Sequence, residues 1–258
     1  MTQVRPPTEP ARADELADVE AGRRVRQGTA GHHRPGGSFA GLRRRWPALT
    51  PAMAVVPVLL GIAAMVDGGR LLIWDAPITD AAVAHRTPWL DDLALAASRL
   101  GSWAVVFPVA ALLALLAALR SRTLVRVMLV VVMARPAVEW LLKDLVARPR
   151  PMGAQLVAGT GFSYPSGHVL AAIATWGFLP PVVALYTHRR TTRAVAVVGA
   201  AALVGAIAWS RVWLGVHWSS DVVASLAIGF LALSLAEAWL DGGPRAEKVW
   251  RGMGDRAG

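Results

Sequence analysis

The sequence predicts an all-α membrane protein, a six-transmembrane-helix bundle, and three observations lead there. The 258 residues are 55% hydrophobic, above the ~45–50% of ordinary soluble chains. That excess is gathered into blocks close to the ~20 apolar residues that cross a bilayer core. The blocks are far longer than barrel strands and lack their period-two alternation. Inside lipid, such a segment satisfies its own backbone only as a helix.

Residues 1–45 are rich in Arg, Pro, Gly and acidic residues and poor in large apolar ones. They read as a disordered basic arm. No apolar run follows Met1, so a cleaved signal peptide is not expected. Arg43-Arg44-Arg45 then sets the topology of the first span or touches anionic headgroups. The membrane domain is expected over residues 46–240. Its spans run Pro47–Val66, Leu100–Leu119, Leu124–Leu142, Val169–Thr187, Ala194–Ser210 and from about His217 to Ala236. Only the third carries several charges: Arg126, Arg135 and Glu139. Pro57, Pro108, Pro136 and Pro180-Pro181 should kink their helices, which a packed bundle tolerates. Residues 67–99 hold Trp74, Trp89 and Asp91-Asp92, a pattern of short interfacial helices. Residues 241–258 form a basic tail.

The formal net charge of +10 is carried almost wholly by arginine. Basic links at Arg120–Arg122 and His188–Arg193 join the arm and tail on the cytoplasmic side. Loops of about 67–99, 143–168 and 211–216 then face outward. The charge has no base-reading or stacking motif beside it, so nucleic acid is not an expected partner. With no cysteine, disulfides, thiolate catalysis and Cys-bound metals are excluded.

Two outward loops are nonetheless basic, and that charge has a chemical use. Lys143 and Arg150 follow the third span, and Arg211 ends the fifth. Arginine presents a fork to two phosphate oxygens, and lysine a point charge. Ser166 and Gly167 open the fourth span, where free N–H groups and the helix dipole favour an anion. His217 and Asp221 are spaced i,i+4 and share a face if helical. A carboxylate there orients the imidazole and leaves its other nitrogen free to attack. His168 would protonate the departing oxygen. Each feature also has an ordinary reading: a packed histidine, a stiff loop, an N-cap serine, an Asp221 that caps the last helix. Those readings do not explain why all of them fall at one membrane face. Glu139 is expected either to position Lys143 or to pair with Arg135, because intramembrane charges need partners.

The residues run Lys143, six residues, Arg150-Pro151; then Pro165-Ser166-Gly167-His168; then Ser210-Arg211, five residues, His217, three residues, Asp221. This resembles the three-part signature of the type 2 phosphatidic acid phosphatase superfamily, in order and spacing. The resemblance implies a six-helix bundle with an extracytoplasmic site that needs neither metal nor cofactor. It implies His217 as a phosphohistidine-forming nucleophile, Asp221 as its partner and His168 as the leaving-group acid. Lys143, Arg150, Ser166, Gly167, Ser210 and Arg211 become phosphate contacts. The substrate would be a lipid phosphate or diphosphate: a polyprenyl diphosphate, phosphatidic acid or phosphatidylglycerol phosphate. A phosphotransferase using the same site, or a non-catalytic transporter or scaffold, stands as the alternative.

Overall fold

The computed structural model describes residues 46–66 and 72–242. The arm expected over 1–45 and nearly all of the tail lie outside them. Among the described residues there are nine helices and no strand. They are α1 (Trp46–Met65), α2 (Asp75–Ala84), α3 (Pro88–Leu100), α4 (Trp103–Ala118), α5 (Arg122–Val146), α6 (Gly167–Trp176), α7 (Leu179–Ala184), α8 (Arg190–Trp213) and α9 (Ser219–Gly242).

Local chemistry sets these boundaries. Pro88 opens α3 at a position where its missing N–H costs nothing. The Ser121 hydroxyl caps α5 by accepting from the Leu124 N–H at 3.2 Å. α5 ends where Ala147 adopts the left-handed region at φ 47°. Pro57, Pro108 and Pro136 lie inside continuous helices. The expected fourth span is instead broken at Gly177-Phe178, and Pro180-Pro181 sit in the first turn of α7.

Gly167–Ala184, Arg190–Trp213 and Ser219–Leu240 are long and apolar enough to cross a bilayer. The bent pair α3 and α4, at 46° to each other, would make a fourth span. α5 is 25 residues long but too charged to qualify on composition. Val58, Leu59 and Ile62 of α1, Leu115 of α4 and Val130 of α5 are exposed, and apolar exposure on that scale marks a lipid-facing surface.

α6 is the central helix. It packs against α4, α5, α8 and α9, and Val169 through Thr175 are all buried. A helix apolar on every side belongs in a core. Its N-terminus lies beside α9, where the Ser166 N–H donates to Ser225 Oγ at 2.7 Å. At the other end Arg120 stacks over Tyr186 at 5.1 Å, and the Tyr186 hydroxyl donates to the Leu116 carbonyl.

Candidate active site

The turn between α8 and α9 carries His217. Gly215 takes φ +70°, and a Cβ there would fall 2.0 Å from the Ala154 carbonyl oxygen. Only glycine permits that approach. The Val216 and His217 N–H groups both donate to the Arg211 carbonyl, which holds the imidazole beneath the loop. The last span was expected to begin at about His217, but α9 begins at Ser219. His217 and Asp221 therefore do not share a helical face. The reason is capping: Asp221 Oδ2 accepts the Trp218 N–H at 3.0 Å, the backward half of a capping box.

This rearranges the expected pair. His217 Nδ1 lies 2.7 Å from the Ser163 carbonyl oxygen and 3.7 Å from Asp221 Oδ2. A carbonyl only accepts, so Nδ1 carries the proton and Nε2 keeps its lone pair. Nε2 stands 3.3 Å from an Arg150 Nη1. Burial pushes the His217 imidazole down from 6.5 to about 4, against the pull of Asp221 and with help from Arg150 and Arg211. At neutral pH the ring is uncharged.

Lys143 and Arg150 converge on one oxygen. The Phe162 carbonyl accepts from Lys143 Nζ at 2.8 Å and from Arg150 Nη2 at 3.1 Å. Arg150 also donates to the carbonyls of Thr160, Gly161 and Val216. Desolvation lowers its pKa, with Asp221 and Glu139 opposing. Arg211 is buried and donates to the Ser98 hydroxyl of α3, while its Nε has no partner among the described residues.

At the start of α6 the Ser166 hydroxyl is buried, forms no cap and has no hydrogen-bond partner among the described residues. The simple N-cap reading of Ser166 is therefore not what the fold adopts. Its N–H donates to Ser225 Oγ at 2.7 Å. Gly167 faces Glu139: a Cβ there would meet Glu139 Oε1 at 2.1 Å. Glu139 itself sits 2.5 Å from Arg135 and 3.9 Å from Lys143, so the Arg135 pairing is the tighter. His168 is half-buried, with Arg211, His217, Arg135 and Arg150 close enough for their charges to act on its ring. The Ser210 hydroxyl donates back to Ile207 of its own helix at 2.7 Å.

Arg148 is not one of the fixed positions of the three motif segments; both of its Nη groups are held, while its Nε has no hydrogen-bond partner among the described residues. It is buried and joins Asp221 and Asp75, each at 2.7 Å. Asp75, in the first turn of α2, belongs to no motif; no signal in the sequence separates it from other loop aspartates.

These positions bring the His217 imidazole, the cations Lys143 and Arg150 and the N-terminus of α6 together at one end of the bundle. The description of the PAP2 superfamily matches residues 124–242, a stretch that contains all three motif segments. Residues 124–242 form a PAP2 superfamily domain. Phosphatidylglycerophosphatase B of Bacillus subtilis (strain 168) is 28% identical over 188 residues, covering 69% of this chain and 89% of that protein. Phosphatidylglycerophosphatase B of Escherichia coli (strain K12) is 40% identical over 82 residues, 31% of this PAP2 chain and 30% of that one. The crystal structure of a transmembrane PAP2 type phosphatidylglycerolphosphate phosphatase from Bacillus subtilis has the same fold. Its TM-score is 0.67 at 24% identity, over 76% of this chain and 98% of that one.

Proposed function

We propose that this PAP2 protein hydrolyses the terminal phosphate of phosphatidylglycerol phosphate, or of a closely similar lipid phosphate, through a phosphohistidine at His217. The observation that carries the proposal is the unprotonated Nε2 of a neutral, buried His217, which accepts from Arg150, whose other donors meet those of Lys143 at a single oxygen. The substrate class is supported by the names of the bacterial relatives. A groove of apolar residues along α5, α6 and α9, with Arg135 among its lining, offers a surface suited to a lipid chain.

In the first step Nε2 attacks phosphorus, and the bond from phosphorus to the lipid oxygen breaks. His168, protonated, gives its proton to that oxygen. Lys143, Arg150, Arg211 and the N-terminus of α6 at Ser166 and Gly167 neutralise the charge on the phosphoryl oxygens. The loop carbonyls that now hold Lys143 and Arg150 would give way to those oxygens. Water then attacks the phosphohistidine, returns a proton to His168 and releases phosphate from His217. Asp221 acts through the turn that holds His217. Ser210, with its hydroxyl bonded inside α8, contributes through packing.

The proposed topology has six spans: α1, the α3–α4 pair, α5, α6 with α7, α8 and α9. Both termini lie in the cytoplasm and the site opens on the extracytoplasmic face, because the basic links lie at the opposite end.

The test is phosphate release from purified protein given phosphatidylglycerol phosphate, phosphatidic acid or a polyprenyl diphosphate, with and without chelator. Release should be fastest from phosphatidylglycerol phosphate, indifferent to chelator, and at least ~10³-fold slower in His217→Ala. Full activity in that variant would overturn the proposal. Transfer of labelled phosphate to an added alcohol, without free phosphate, would instead identify a phosphotransferase.

A further inference from the structure

The proposed chemistry leaves one buried charge cluster without a role. Asp75 is 2% exposed, yet it lies on a short helix, α2, that carries none of the motif residues. Its Oδ1 accepts from the Ser219 hydroxyl at 2.5 Å and from the Ser220 N–H at 2.8 Å. Its Oδ2 accepts from Arg148 Nη2 at 2.7 Å and from the Ser220 hydroxyl. Asp75 thus does for the first turn of α9, from another helix, what an N-cap side chain does locally. Asp221 supplies the other half of the cap from within α9.

Arg148 links this cap to the nucleophile by two routes. Its Nη1 donates to Asp221 Oδ1 and to Ser220 Oγ, both at 2.7 Å. Its own carbonyl accepts the Ser163 N–H at 2.8 Å, and the Ser163 carbonyl in turn holds His217 Nδ1. The guanidinium also lies over the Trp218 ring at 5.3 Å. Ser163 and Asp221, the two groups beside His217 Nδ1, are therefore each one contact from Arg148, and Arg148 is clamped between two carboxylates.

We propose that Asp75 is a positioning residue for His217, acting through Arg148 and the first turn of α9. The proposal rests on the reading of His217 as the nucleophile. A planar fork keeps one orientation only when both of its arms are held. With Asp75 neutral, Arg148 has one carboxylate left and is free to swing toward Asp221. The N-terminus of α9 and the turn before it lose their shared anchor. Misplacing a nucleophile by a fraction of an ångström lowers the rate of attack with little effect on binding, and the cations expected to bind phosphate are not in this cluster.

The experiment compares wild type, Asp75→Asn, Ser220→Ala and His217→Ala with phosphatidylglycerol phosphate in detergent micelles. Fold is checked by thermal melting, and the binding stoichiometry of inorganic phosphate is measured for each protein. Asp75→Asn should lower kcat at least tenfold, keep KM within threefold and bind phosphate at the wild-type stoichiometry. Ser220→Ala, a small change that removes a bridge between Arg148 and Asp75, should lower kcat at least threefold in the same pattern. A folded Asp75→Asn protein with wild-type kcat overturns the proposal, and so does joint loss of turnover and phosphate binding. Should Asp75→Asn not fold, wild-type kcat in Ser220→Ala overturns it. An active His217→Ala protein would instead sink the nucleophile assignment, so the two failures are distinct.

Discussion

Burial and one carbonyl set the state of His217, the proposed nucleophile. Its imidazole is 2% exposed, and desolvation holds its pKa at about 4 instead of 6.5. Folding thus keeps a neutral ring that the unfolded chain would protonate at mildly acidic pH. The associated stability is complete above about 6.5 and is lost as the pH falls toward about 4. In the free enzyme, the acid limb of kcat/KM assigned to this ring should lie near 4 once substrate ionisation is corrected for. A limb near 6.5 that vanishes with the ring would contradict the observed burial. Gly167 gives a steric counterpart. A methyl there would sit 2.1 Å from a Glu139 oxygen, and overpacking of this kind costs about 1–3 kcal/mol. Gly167→Ala should melt several degrees lower and turn over at least tenfold more slowly, measured by thermal melting and phosphate release. Unchanged values would mean that Glu139 moves aside freely.

At the scale of elements, the site is assembled by helix ends, and two turns decide where those ends point. Ala147 closes α5 with φ 47°, a conformation that costs an L-residue with a Cβ about 1 kcal/mol. Gly215 carries φ +70° against the Ala154 backbone. The two positions should answer substitution with opposite signs. Ala147→Gly should hold or raise the melting temperature, because glycine relieves the strain at C′. Gly215→Ala should lower it and impair activity, because it collides with backbone that cannot yield. Melting curves in detergent, paired with phosphate release, check both. Equal effects would remove the distinction.

For the whole molecule, the arrangement matters because three connecting segments meet at one end of the bundle. Arg86, between α2 and α3, donates to the carbonyls of Ala154 and Trp213. Trp213 donates to Asp91 at 2.8 Å, and Leu156 N–H donates to the Leu214 carbonyl at 3.0 Å. This end is proposed to face outward. The chain has no cysteine, so single thiols report topology directly. Met152, 92% exposed, lies in the loop after α5, and Met152→Cys should react with an impermeant maleimide added to intact cells. His188→Cys, in the basic link before α8, should react only after the membrane is opened. The reverse pattern would invert the bundle. Gly159 is a poorer choice in the same loop, because a Cβ there meets Arg150 at 2.8 Å.

By itself the sequence determined that this protein is helical and membrane-bound, and it pointed to Lys143, Arg150, His168 and His217 as the proposed site. Hydrophobic block length and residue type are local properties, and local spacing carries them. It also placed the breaks near Pro180-Pro181 and the charged face of the third span. It did not determine that His217 sits in a turn, that Ser163 rather than Asp221 holds Nδ1, or that Asp75 and Arg148 belong with the site. Those facts depend on which carbonyls and carboxylates from distant segments arrive within hydrogen-bond distance. Residues 75, 148 and 221 are far apart in the chain, and one buried guanidinium draws them together only after the helices have packed. Periodicity says which side of a helix is apolar; the partner of a buried charge is decided by tertiary packing, because burial makes a vacant partner too costly.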